Sequence, residues 1–415
     1  MFDVIILGAG PAGLSLAAEL APHVRVLVLE RSPLGQTAAS WYSYADRVRE
    51  HGLDAAVAFR TDHILFRSEN FAHRLVDECV VLDHHEVLHI WHERAVACGA
   101  RFVHATYVSH AVTGGAVLVQ SSEGEHRARL LIDCSGSHSK IVADRRLIKR
   151  KNAWVLYGAR IRLPTPAPDV GIMYLPLGDE ANTYLGIHPF SATELNVYLF
   201  QGQLDTLGNP ALLAPLFEQT LARLYPEAEV VEPLGGSIVS GVLSRYALDR
   251  VVFFGAAGMM NPDAIGMGFN EILRKVRGFA GDLRALLAND RLSARHLRRL
   301  ASSVRDREVL HFQRVIGAFS LHFVKSDHKW DGGVRWLNLL GPASRQWMRN
   351  ELSPEWVLQA TLALHRAVPL RESMKMIPFN DLGFVCDQLV RYVAKAGVRR
   401  TFALIRRAVQ PRHLS

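Results

Sequence analysis

The chain has 415 residues, 49% hydrophobic and 21% charged, with a formal net charge of +8. That length and balance exclude a disordered chain and leave room for two domains and an extension. The charge suits an anionic cofactor, a membrane or nucleic acid and does not choose among them. Cys79, Cys98, Cys134 and Cys386 lack paired spacing, so they read as buried thiols of a cytoplasmic protein, not a disulfide or zinc framework. The first apolar run reads as a strand with no basic segment before it, so a signal peptide is not expected. No stretch reaches the ~18 apolar residues of a membrane-crossing helix.

Val4–Leu7 reads as a buried parallel strand, followed by Gly8, Gly10 and Gly13 in GxGxxG spacing and a helix over 14–20. Gly8 permits a tight turn. Gly10 lets a pyrophosphate approach the backbone across Pro11 and Ala12, and Gly13 lets the helix pack on the strand. The helix N-terminus offers free N–H groups and a positive dipole end to phosphates. A second strand, 24–30, ends in Glu30, where a carboxylate meets a ribose hydroxyl, and Arg31 opens the turn beyond it.

Trp41, Tyr42 and Tyr44 fit either a flavin or substrate pocket or ordinary packing. Residues 60–70 alternate as a strand leading to the substrate side. A helix is predicted over 83–98, ended by Gly99. It carries His84, His85, His89 and His92, but no acid beside them completes a metal site, and none is expected. A hairpin turns at Gly114-Gly115. Another buried strand, 128–136, ends in an Asp133-x-x-Gly136 turn placed near a cofactor pocket.

From Ala153 the pattern becomes successive strands: 154–163, 170–175, 183–187 and 194–200, then a helix over 210–224 and a strand over 236–242. This reads as an antiparallel sheet in a second domain, with Tyr157, Tyr174 and Tyr184 as pocket candidates beside Trp41 and Tyr42. The segment 250–270 returns to the first domain with a strand, a glycine turn and a helix from Asn270. A loop without bulky side chains ahead of a helix can press its backbone against a flat ring. From Leu283 the chain is mostly helical, and residues 391–415 hold seven Lys or Arg and no acid. That tail fits a packed helix with a solvated basic face or a peripheral membrane helix. No nucleic-acid reader motif is present.

The motifs at 8–30, 133–136 and 255–268 together resemble those of FAD-dependent oxidoreductases of the flavin monooxygenase, geranylgeranyl reductase and lycopene cyclase group, over residues 1–285. The resemblance implies an α/β fold. A Rossmann-type, glutathione-reductase-like FAD-binding domain takes residues 1–150 and 245–285, with 60–80 on the substrate side. An inserted antiparallel-sheet substrate domain takes 151–244, and a C-terminal helical region takes 286–415. It implies that Gly8, Gly10, Pro11, Ala12, Gly13, Glu30 and Arg31 hold the ADP half of FAD. His85 stands where the group has an Arg near the phosphates or ribityl chain. Asp133 and Gly136 lie beside the cofactor. Gly255, Ala256, Pro262, Gly266, Met267, Gly268, Phe269 and Asn270 cover the ribityl chain and ring.

Gly255-Ala256-Ala257-Gly258 with Pro262, and Trp154–Gly158, are similar to the lycopene cyclase branch. The cyclase Phe-Leu-Glu-Glu-Thr acid pair has no match in Thr183–Pro189, although Asp179 and Glu180 precede it. The halogenase Trp-x-Trp-x-Ile-Pro signature and its lysine are absent. The reading taken is a monooxygenase of specialised metabolism, acting on a lipophilic or aromatic small molecule with reduced flavin and oxygen. NAD(P)H docks transiently, or a partner flavin reductase supplies the reduced flavin. The alternatives are a redox-neutral cyclase or isomerase and a redox-inactive FAD-binding module. A cyclase needs a carboxyl with a raised pKa, for which the candidates are Asp179, Glu180, Asp263 and Glu271.

Overall fold

Val4–Leu7 is buried because its strand has a packed layer on each side. Val4 and Ile6 enter one apolar cluster, and Ile5 and Leu7 enter another. The computed structural model describes the chain except residues 36–38, 168–170, 178–182, 205–208, 264, 304–310, 312–313, 316–328, 369–370, 372–381, 384, 393 and 395–415. Asp179, Glu180 and most of the basic tail therefore lie outside the described residues.

In chain order the first elements are β1 (Phe2–Leu7), α1 (Pro11–Leu20), β2 (Val26–Glu30), β3 (Trp41–Tyr44), α2 (Ala45–Glu50), β4 (Val57–Arg67), β5 (Ala72–Leu82) and α3 (His84–Ala97). Then come β6 (Arg101–His104), β7 (Tyr107–Thr113), β8 (Ala116–Ser121), β9 (Gly124–Asp133), α4 (Lys140–Asp144), β10 (Ile148–Arg162), β11 (Ile172–Pro176) and β12 (Thr183–Pro189). The rest are β13 (Glu194–Leu204), α5 (Ala214–Leu224), β14 (Glu229–Leu243), β15 (Ala247–Leu248), β16 (Val251–Phe253), α6 (Gly268–Ala288), α7 (Ala294–Ser303), α8 (Lys329–Leu340), α9 (Ser344–Met348) and α10 (Pro354–Ala367).

The first sheet runs β15-β16-β9-β1-β2-β6, with the β7–β8 hairpin added through β9. Its central strands are parallel, so the C-terminal ends of β1, β2, β9 and β16 share one edge. In an open parallel sheet that edge is where ligands bind. Asp83 caps α3 by accepting from the N–H groups of His85 and Glu86, which fixes the helix start.

The second sheet runs β14-β10-β13-β12-β11-β4-β5-β3. It departs from the expected domain in two ways. Three of its strands come from residues 41–82, so more of the N-terminal segment than 60–80 crosses to this side. It is also mixed, because β11 pairs parallel with β4. The thiols differ too: Cys79 and Cys134 are buried, whereas Cys98 and Cys386 are exposed. Among the described residues, no helix is long and apolar enough to cross a membrane.

The C-terminal helices dock onto the β4–β5 hairpin. Asn70 donates to Asp331 at 2.6 Å, and His73 joins Asn338 and Ser344 through its two ring nitrogens. The deepest tie is Arg349, which donates to both oxygens of Asp77 at 2.6 and 2.8 Å and to Asp46 at 2.7 Å. The Asp77 side chain is 1% exposed. Burial works to raise the Asp46 carboxyl, but the hydrogen bond and charge of Arg349 outweigh it and hold it below its ordinary value. Asp46 therefore adds stability that is full above that ordinary value and lost as pH falls through the lowered one.

Arg349→Leu leaves the buried Asp77 with the half-exposed Arg345, 3.0 Å away, and is expected to cost about 3 kcal/mol in denaturant unfolding at neutral pH. The loss shrinks as the pH falls through the lowered value of Asp46 and that carboxyl protonates. A loss no larger than that of an exposed ion pair, about 0.5 kcal/mol, contradicts the tie.

Candidate functional site

At the shared edge of the first sheet the chain builds a cradle from backbone. Gly8 has φ +95°, and a Cβ there would meet the carbonyl of Cys134 at 2.8 Å. Gly13 lies against the Gly8 carbonyl, so the start of α1 sits directly on the turn. Gly10 differs from both. It is the N-cap of α1, no side chain caps that first turn, and no atom lies within 4 Å of a Cβ built on it. Its open face looks into a cavity of about 840 Å³ that Gly8, Gly10, Pro11 and Ala12 line. A helix N-terminus opening on such space suits an anion.

Glu30 lines the same end, beside Arg31. Its carboxylate accepts from the Ala9 N–H at 2.6 Å and from the Ser32 N–H at 2.9 Å, which fixes its position on the glycine turn. Asp133 lies beneath the cavity rather than on its wall. It is fully buried and accepts from Ser135 N, Ser135 Oγ and Ser139 Oγ at 3.0, 2.5 and 2.5 Å. Burial pushes its carboxyl up, against those hydrogen bonds. Its work is to brace the loop that presents Ser135, Gly136, Ser137 and His138 to the cavity.

The late loop closes the other side. Gly255 has φ +67°, and a Cβ there would meet the Ala12 Cβ at 2.6 Å, so loop and α1 touch. Ala256, Gly266, Met267, Gly268, Phe269 and Asn270 line the cavity, while Gly255 and Pro262 stand behind. Asn270 accepts from Ser43 Oγ at 2.5 Å and donates to the Tyr42 carbonyl, which pins α6 to β3. Trp41 stacks on Phe269, with centroids 4.8 Å apart and planes 4° apart.

The second sheet supplies the far end. Tyr42, Tyr174 and Tyr184 line it. Tyr157 does not. Side chains alternate along β10, so Trp154 and Leu156 face the cavity and Tyr157 faces Phe217 in a separate cluster. The same alternation along β12 carries His188 to the wall with Tyr184, a residue the sequence reading missed although it lies four positions along the same face. A Cβ on Gly186, between them, would strike the Phe200 ring, so this glycine makes room for the Tyr184–Phe200 stack at 4.7 Å. Trp330 of α8 and Trp347 of α9 complete the wall. The sequence signal for them was the crowding of tryptophans in the extension.

Polar groups are few here. Tyr174 Oη and His188 Nε2 lie 3.2 Å apart, and among the described residues His188 Nδ1 has no hydrogen-bond partner. Burial pushes the His188 imidazole down to about 3, so it is neutral near pH 7. Burial likewise pushes the Tyr42 and Tyr174 hydroxyls up.

The remaining acids stand elsewhere. Asp263 is buried outside the cavity wall, its carboxyl raised by burial against the charge of Arg314. Glu271 is ion-paired with Arg274 at 2.7 Å and accepts from Asn350. His85 also lies off the main wall, half exposed on a smaller cleft beside Gly35, His89 and His92. Its Nδ1 meets the Gly35 carbonyl at 2.9 Å.

The family described as "Lycopene cyclase protein" matches residues 3–176. Among solved structures, a geranylgeranyl bacteriochlorophyll reductase-like protein (Ta0516) from Thermoplasma acidophilum superimposes with TM-score 0.69 at 13% identity, over 91% of this chain and 99% of that one. The halogenase PltM in complex with phloroglucinol and FAD gives 0.63 at 14%, over 95% and 96%. The flavin-dependent brominase Bmp2 gives 0.64 at 15%, over 86% and 93%. This is the fold of the FAD-dependent oxidoreductases of that group. L-aspartate oxidase of Yersinia pestis is 41% identical over 64 residues, which is 14% of this chain and 12% of that protein.

In this flavoenzyme fold the Asp133 brace is open to test. Ser139→Ala removes one donor from a buried carboxylate and is expected to cost about 2 kcal/mol in denaturant unfolding. A loss below about 0.5 kcal/mol, the range of ordinary surface changes, contradicts the brace.

Proposed function

We propose that the cavity holds FAD at its glycine-lined end and a lipophilic or aromatic small molecule at its aromatic end. On this reading the chain is a monooxygenase of specialised metabolism. The observation that carries the proposal is the continuity of one cavity of about 840 Å³ from Gly10 to Trp347. The residues fit the cofactor: open space over Gly10, an uncapped N-terminus on α1, a carboxylate at Glu30 and small residues on the late loop. Bound there, FAD supplies electron transfer and, when reduced, activation of oxygen.

The chain's own residues do the rest. The α1 N-terminus and the Gly10 backbone receive the pyrophosphate, and Glu30 receives a ribose hydroxyl. Asn270 holds the late loop against β3. Phe66, Trp154, Tyr184, Phe200, Trp330 and Trp347 bury the substrate and keep water out. Tyr174 and the neutral His188 offer the polar anchor for a substrate hydroxyl. Among the described residues, the acid on the cavity wall is Glu30, at the nucleotide end. Oxygenation in a dry pocket suits such a wall better than a reaction that needs a carboxylic acid beside the substrate. The second reading, a redox-neutral cyclase, is favoured by the match of residues 3–176 to the lycopene cyclase family.

Gly10→Val places its side chain where the pyrophosphate would lie and where no protein atom stands within 4 Å. The variant is expected to keep the wild-type circular dichroism and lose FAD through gel filtration. Retained FAD contradicts the placement. Anaerobic NADPH, or a flavin reductase with NADPH, should bleach the bound flavin, and air should restore it with oxygen uptake. A reduced flavin that persists in air contradicts oxygenation, and turnover without net use of reductant points to the cyclase.

A further inference from the structure

Strand β14 brings Glu232 to the N-terminus of α3, 147 residues from His85. Glu232 Oε1 lies 3.5 Å from His84 Nε2 and 3.4 Å from His85 Nε2. The ligand atoms of the three side chains all fall within 4.8 Å of one another. The His84 side chain is fully buried, and among the described residues neither of its ring nitrogens has a hydrogen-bond partner.

The tautomer of His85 sharpens the picture. Its Nδ1 lies 2.9 Å from the Gly35 carbonyl, which can only accept, so Nδ1 carries the hydrogen. In the neutral ring Nε2 then presents a lone pair to a carboxylate oxygen. His84 Nε2 faces the same oxygen. A single proton serves one of these two contacts, whereas a cation between the three atoms serves both. A histidine held by a backbone carbonyl through one nitrogen while the other faces outward is the usual second-sphere support of a metal ligand.

The spacings suit a small ion. Zinc binds imidazole nitrogen and carboxylate oxygen at about 2.0–2.2 Å, which sets tetrahedral neighbours about 3.4 Å apart. Two of the three edges here are 3.4 and 3.5 Å. Arg160 approaches the other oxygen, Oε2, at 3.4 Å. It is itself held by Asn196 and lies over the Phe190 ring, so it orients the carboxylate and leaves Oε1 free. The His85 side chain is 51% exposed, which leaves a path for the ion and a position for water.

We propose that His84, His85 and Glu232 bind a divalent first-row transition ion of the zinc class. Two imidazoles and one carboxylate match that class, and the ion ties the start of α3 to the second sheet. None of the three residues lines the main cavity, and the ring of Trp41, which does, meets His84 edge-on at 6.1 Å.

The test is equilibrium dialysis of the full chain against Zn²⁺ after chelator treatment, with bound metal counted by mass spectrometry. The expected result is one zinc per chain. His85→Ala and Glu232→Gln should each lose at least about tenfold in affinity. His23→Ala, an exposed histidine elsewhere, should bind as the wild type does. Glu232→Gln keeps the shape of the side chain, and the circular dichroism of each variant checks its fold. Absence of stoichiometric zinc in the wild type overturns the site. So does unchanged affinity in both variants.

Discussion

The cavity depends on one close approach of backbone to backbone. Three strand ends, those of β1, β9 and β16, share an edge because their strands lie side by side and parallel. Their loops can meet only if nothing projects between them. Gly8 against Cys134, Gly13 against the Gly8 carbonyl and Gly255 against Ala12 are those meeting points. Gly10 alone of the glycine turn looks outward into space. Close packing on one side and an opening on the other turn a βαβ unit into a cradle.

The rest of the molecule covers that cradle. The second sheet stands over the edge with an aromatic face, and the C-terminal helices close it with Trp330 and Trp347. Those helices are held through Arg349, Asp77 and Asp46, so an ion-pair network at one side of the molecule sets a wall of the cavity. The polar content of the wall is narrow: tyrosine hydroxyls whose ionisation burial opposes, and a histidine kept neutral by burial. Such a surface selects by shape and apolar area, with a few hydrogen bonds to orient what it binds.

The local signals were legible because they are local. The glycine turn, the acid ending β2, the helix α3 ended near Gly99 and the Gly114-Gly115 hairpin each lie within one stretch of sequence. The faces of strands were harder. Tyr157 looked like a pocket residue, but one step along β10 turns a side chain to the opposite face, and its neighbours Trp154 and Leu156 took that role. His188 needed the face of β12, set by pairing with β13. The strands β3 and β5 were hidden because they join the second sheet through β4, whose other partner, β11, comes about a hundred residues later in the chain. Glu232 completes a cluster with His84 and His85 that no spacing along the chain could show, since β14 reaches α3 only in three dimensions.

The most direct test of the central claim is the visible absorbance spectrum of the purified chain after incubation with FAD and gel filtration. The account predicts flavin bands that travel with the protein at one FAD per chain. A colourless protein with a native circular dichroism spectrum would contradict it, since the cradle would then be folded and unable to hold the cofactor.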